Sequence, residues 1–179
     1  MQIINAALED ARAVARIHVT AWQEAYKEIL SAEYLAGLSI DKRQCYWSEV
    51  IPKGNPEISI AKVDESVVGW VAFGKCRDAD APSTAGEIWA IYVAPDFWST
   101  GAGRALWFQA RQKLAAVGYR TVSLWVLADN ARAIDFYRKA GFTAEPGSAK
   151  EFELGGLTLK EVRYVANLMH FGERDKCAG

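Results

Sequence analysis

Two glycines one residue apart, Gly101 and Gly103, stand between Pro95 and an alanine- and leucine-rich run in the stretch APDFWSTGAGRALW, residues 94–107. Glycine lets backbone N–H groups approach an oxygen with no Cβ in the way. The first turn of a helix leaves such groups unbonded, and the helix dipole adds partial positive charge there. A Gly-x-Gly turn that opens a helix is therefore suited to a phosphate. Two nucleotide motifs do not fit. A dinucleotide fingerprint requires a third glycine where Leu106 stands. A Walker loop requires Gly-Lys-Ser/Thr where Gly103-Arg104-Ala105 runs. Taken alone, the loop also suits a plain strand-to-helix turn.

A second block follows about thirty residues on: LWVLADNARAIDFYRKAGF, residues 124–142. Asn130 is placed to cap a helix that carries Phe136-Tyr137 and ends at Gly141-Phe142. With both blocks in view, the chain resembles the GNAT family of acetyl-CoA-dependent N-acetyltransferases. The family's pyrophosphate loop, Gln/Arg-x-x-Gly-x-Gly/Ala after a Val-x-Pro-like element, is matched by Val93-Ala94-Pro95 and residues 98–103. Its later block, Asn-x-x-Ala-x-x-Phe-Tyr-x-x-x-Gly-Phe, is matched without a gap by Asn130, Ala133, Phe136, Tyr137, Gly141 and Phe142. One position departs: Trp98 stands where the family usually has Gln or Arg.

The resemblance implies acetyl-CoA as co-substrate, with no metal. Backbone groups of Ser99, Thr100, Gly101, Ala102, Gly103 and Arg104 would face the pyrophosphate, and Arg104 would add positive charge that Trp98 cannot. Ile91, Tyr92 and Val93 would hydrogen-bond the pantetheine arm as an added strand does. Asn130 would contact the cofactor. Tyr137 stands where the family places a general acid for the leaving thiolate. An amine with a pKa near 10 must lose a proton before it attacks, which calls for a base. Glu87, eleven positions before Trp98, is the candidate; His18 is a weaker one, and relatives also work through ordered water. For the acceptor, the first helices and the loop before residue 87 offer Trp22, Tyr26, Glu24, Glu28, Tyr34, Asp78 and Asp80. Aromatics and carboxylates suit a cationic or aromatic amine, and a small molecule is favoured over a protein. Two other readings stay open: a non-catalytic acyl-CoA sensor, and a protein N-terminal or lysine acetyltransferase.

These residues must be positioned by alternating elements. Strands are predicted at residues 2–6, 57–63, 67–75, 87–93, 121–127, 151–154 and 157–168. Helices are predicted at 9–28, 32–50 (broken around 37–39), 104–117 and 130–140, from apolar spacing of three and four. Leu106, Ala110, Leu114 and Val117 form one such stripe. The expected fold is α/β (α+β): a mixed, mostly antiparallel twisted sheet of about six to seven strands flanked by helices. Residues 1–170 would form one acetyltransferase domain and 171–179 a tail.

Composition agrees. The 179 residues are 51% hydrophobic and carry a formal charge of −1, which argues against a nucleic-acid binder with a broad basic face. No apolar run reaches the ~20 residues of a membrane helix, and the first residues lack a secretory pattern. Three scattered cysteines (Cys45, Cys76 and Cys177) and two histidines make a four-ligand zinc site unfavourable. A cytoplasmic location is expected, and a homodimer would form through the Gly155–Gly156 hairpin or the last strand.

Overall fold

The computed structural model describes residues 1–168. Eight strands form one sheet: β1 (Gln2–Asn5), β2 (Glu57–Val63), β3 (Ser66–Lys75), β4 (Ala85–Val93), β5 (Thr121–Leu127), β6 (Thr143–Ala144), β7 (Lys150–Leu154) and β8 (Leu157–Asn167). Their order is β1-β2-β3-β4-β5-β8-β6, with β7 also paired to β8. Every pairing is antiparallel except β4 with β5. The eighth strand, β6, is the one not anticipated. It has two exposed residues, too few to show an alternating pattern. The expected tail, with His170 and Cys177, lies outside the described residues.

The helices are α1 (Ala11–Ala25), α2 (Ala32–Ala36), α3 (Ile40–Val50), α4 (Ala102–Ala116) and α5 (Ala131–Lys139). Ser31, Ser39 and Asn130 each cap one by accepting a backbone N–H from Tyr34, Lys42 and Ala133. The first helix is shorter than its periodicity predicts. Asp10 accepts the Ala7 N–H at 2.9 Å, so the chain enters through a tight turn before Ala11. In α4 the apolar stripe ends at Leu114; Val117 lies just beyond and is 74% exposed.

One layer of core packs α4 and part of α5 on one face of the sheet, around Leu106, Leu114, Phe73 and Leu124. Another packs α1 and α3 on the opposite face, around Val14, Ile17, Trp47 and Trp70. A third, smaller cluster joins the end of α1 and α2 to the β7–β8 hairpin through Leu30, Leu35 and Leu159. There Gly155 lies so close to Tyr34 that an added Cβ would stand 3.0 Å from its ring.

The site depends on the parallel pair. β4 and β5 pair only at Ala85↔Thr121, Gly86↔Val122 and Glu87↔Ser123. Beyond that point each stays with its outer neighbour, β4 with β3 to Val93 and β5 with β8 to Leu127. A register shift opposite Ala72/Phe73 makes Trp89 an extra residue in β4. Such a bulge bends its strand, and here it lies where the two strands part.

Candidate active site

A cavity of about 690 Å³ occupies the opening between β4 and β5. At one end lies the turn from Val93 to α4. Gly101 adopts φ +92°, a left-handed conformation that glycine reaches without strain, and it places Ala102 at the start of the helix. Helix α4 thus begins two residues earlier than predicted, and Gly103 falls in the first turn, where orphan N–H groups lie. A Cβ on Gly103 would stand 3.3 Å from the Phe136 ring of α5. Beside this contact between α4 and α5 lies an open cradle lined by Trp98, Ser99, Gly101, Gly103 and Arg104. Thr100 and Ala102 do not line it. The Thr100 hydroxyl donates to the Phe97 carbonyl at 2.7 Å, and Ala102 is buried in the core.

Trp98 now has a local explanation. Its indole N–H donates to the Val93 carbonyl at 2.8 Å, which folds the ring back over the end of β4. The Arg132 guanidinium of α5 stacks on that ring, 3.9 Å from its centroid. The cation absent at position 98 is thereby delivered to the cradle from another element. Arg132 was invisible to motif reading because its contact is made across 34 positions of chain. Arg132→Ala is expected to weaken coenzyme A binding about tenfold, as loss of one charge-assisted contact implies. Isothermal titration calorimetry measures this, and unchanged affinity would remove Arg132 from the cradle.

Ile91, Tyr92, Val93, Asn130 and Tyr137 line the middle of the cavity, and Trp22 and Tyr26 its far end. Three tyrosines from three elements meet here. The Trp22 indole donates to the Tyr92 hydroxyl at 2.8 Å. The Tyr26 hydroxyl interacts with those of Tyr92 and with the Asn130 side chain. Burial pushes the Tyr137 hydroxyl above the usual tyrosine range, and Tyr26 beside it adds to the shift. The phenol therefore keeps its proton at neutral pH, as a donor must.

Glu87 is not brought to this cavity. Its carboxylate is 1% exposed and lies beside the paired end of β4. The Arg77 Nε donates to both oxygens at 3.0 and 3.1 Å, the Arg77 Nη2 donates to Oε1, and the Arg77 backbone N–H donates at 2.9 Å. Arg77 in turn stacks 4.3 Å from the Trp89 ring. Spacing cannot reveal a guanidinium that closes over a carboxylate from across a hairpin.

His18 is likewise kept away. It is packed among the rings of Trp22, Trp47, Trp70 and Tyr92, and neither ring nitrogen has a hydrogen-bond partner. Burial, with Arg43 nearby, lowers its pKa to about 3. The unfolded chain, with an ordinary value near 6.5, therefore binds the proton that the folded chain refuses. Stability should fall by about 1.4 kcal/mol per pH unit as pH drops from 6.5 toward 3. Denaturant titrations of wild type and His18→Leu across pH 7 to 4 check this: the variant should lack that increment, and parallel curves would refute it.

The remaining acceptor candidates separate. Glu24 pairs with Lys27 on the surface. Asp78 and Asp80 bind Arg163 at 3.1 and 2.8 Å, and Asp78 also accepts from Trp125, all in a second cavity of about 430 Å³. Trp125 is a wall common to both cavities. No helix among the described residues is long and apolar enough to cross a membrane.

Comparison with known proteins agrees with this geometry. Residues 13–142 match the model of the acetyltransferase (GNAT) family. The chain is 32% identical over 159 residues to YuaI of Bacillus subtilis, an uncharacterised N-acetyltransferase, covering 88% of each chain. In fold it is similar to a ribosomal-protein-alanine N-acetyltransferase from Brucella melitensis, with a TM-score of 0.74 at 20% identity over 93% of this chain and 99% of that one. It is also similar to YncA of Salmonella typhimurium, solved with its cofactor acetyl-CoA, with a TM-score of 0.71 at 20% identity over 94% of each.

Proposed function

Since the chain belongs to the acetyltransferase (GNAT) family, we propose that it transfers the acetyl group of acetyl-CoA to the primary amine of a small molecule. The observation that carries this reading is the single cavity that joins a glycine cradle at the start of α4 to an aromatic end at Trp22 and Tyr26 through the gap between β4 and β5. The cradle suits a pyrophosphate because its donors are backbone N–H groups at a helix start, with Arg104 and Arg132 adjacent. The unpaired edge of β4 suits an extended arm with amides of its own.

When bound, acetyl-CoA supplies a thioester whose carbonyl carbon accepts the amine nitrogen while the carbon–sulfur bond breaks. The residues of the chain arrange and complete that exchange. A β4 N–H holds the carbonyl oxygen as negative charge grows on it. Tyr137, still protonated, gives its hydroxyl proton to the departing sulfur. Glu87 braces the paired end of the strands through Arg77 rather than meeting the amine.

A small acceptor is favoured over a protein one by the roof of the aromatic end. There the β7–β8 hairpin packs against α2 through Leu35, Leu159 and the Tyr34–Gly155 contact. A polypeptide would have to be accommodated beside this packed hairpin. The test is acetyl-CoA binding by calorimetry, followed by free-thiol release with panels of amines and peptides. Turnover of small amines is expected. Binding with no turnover for any acceptor would favour the sensor reading, and preference for peptides would overturn the small-molecule one.

A further inference from the structure

Two carboxylates line the cavity among the described residues, Asp135 and Glu161. Asp135 lies on α5 beside the cradle, bridged to Lys139 at 2.7 Å. Glu161 lies at the opposite end. It is opposite Leu127 on β5 and Lys150 on β7, so it projects from the same face of the sheet as Trp125 and Phe152. Trp22, Tyr26 and Trp89 line the same cavity. Resting on the function proposed above, we propose that Glu161 binds the acceptor ammonium and takes its proton, and that the acceptor is a monoamine on an apolar or aromatic body.

The charge of the site limits the class. An α-amino acid would bring a carboxylate toward Glu161, and the cation beside it, Lys150, is already paired with Glu161 at 3.3 Å. A polyamine would bring a second ammonium with no second carboxylate there. Either would leave a charge desolvated without a partner, which is costly. A single ammonium meets Glu161, and its hydrocarbon or aryl portion meets ring faces that also attract cations. Glu161 is already partly engaged: Lys150 stands 3.3 Å from its Oε1, with Nζ lying 3.5 Å over the Trp125 ring. A carboxylate offers several acceptor positions, so Oε2 remains for the substrate. The proton balance closes without a further reactant. One ammonium proton passes to Glu161, the nitrogen lone pair forms the new bond to carbon, the carbon–sulfur pair leaves on sulfur and takes the Tyr137 proton, and the second proton shed by the nitrogen as it becomes an amide restores Tyr137.

The experiment uses the full chain with 2-phenylethylamine, phenylalanine, spermidine and an unblocked peptide as acceptors, read by thiol release. Calorimetry reads 2-phenylethylamine binding in the presence of coenzyme A. The aryl amine should exceed the other three in kcat/KM by about tenfold or more, since each of them buries an unpaired charge. Glu161→Gln should lower kcat/KM for the amine about 100-fold, weaken amine binding, and leave acetyl-CoA affinity unchanged. Preference for any of the other three acceptors, or equal amine binding and turnover in the variant, overturns the assignment. Absent turnover with amine binding intact and lost in Glu161→Gln sinks the transferase reading but keeps the ammonium site. Absent turnover and absent amine binding sink both.

Discussion

Replacing Gly103 with tryptophan is expected to abolish acetyl-CoA binding, with an affinity loss of at least about 1,000-fold, or about 4 kcal/mol. The reason is geometric. Even a single added carbon at this position meets Phe136 at 3.3 Å, so an indole can extend only into the cradle or against α5. The space it takes is that in which phosphate oxygens would approach the N–H groups of the first turn. Gly103→Ala supplies the control. Its methyl needs Phe136 to shift by a few tenths of an ångström, and alanine suits a helix better than glycine does. The alanine variant should keep its circular dichroism spectrum and part of its affinity. Retained binding in a folded Gly103→Trp protein would remove the cradle assignment.

Tyr137→Phe is expected to lower kcat by about 100- to 1,000-fold, the range for loss of one positioned acid. The ring stays to pack against Phe136 and Phe142, so KM for acetyl-CoA should change little. The pH dependence adds a signature. Since burial raises the Tyr137 pKa, its acidic form persists until pH rises through a value above 10. An alkaline decline of kcat assigned to this residue should therefore be absent between pH 7 and 10. Steady-state kinetics with the best acceptor measures both. An unchanged kcat in the variant, or an alkaline decline near pH 8 that the substitution removes, would discard the role.

Much of the fold was legible because it rests on local periodicity and on caps. The strand at Thr121–Leu127 and the hairpin closing on Gly155–Gly156 followed from β-branched runs and a two-residue turn. The cradle was legible because Gly-x-Gly, a proline before it and an alanine-rich run after it lie within fourteen residues. What could not be read was decided by partners far apart in sequence. Glu87 has the right type and spacing for a base, yet Arg77 closes over it from the other side of a loop. Arg132 reaches the cradle from α5 and stacks there on the Trp98 indole, which is tied to Val93. Glu161 sits on an ordinary alternating strand, and only the register of β8 between β5 and β7 brings it among aromatic rings. Trp98 looked like a lost side chain and proves to be a platform for a cation.

The three-residue ladder between β4 and β5 bears on how the molecule melts. It joins an amino-terminal half, β1 to β4, to a carboxy-terminal half, β5 to β8, and α4 packs across β2, β3 and β4 on one side. A molecule lodged in the opening completes the broken part of the sheet and fastens the halves to each other. Any ligand that needs both halves in place stabilises the whole by RT ln(1 + [L]/Kd), about 2.7 kcal/mol at one hundred times Kd. Amide exchange should report it most strongly along the facing edges of Ile91–Val93 and Trp125–Leu127, the seam where β4 and β5 no longer pair with each other.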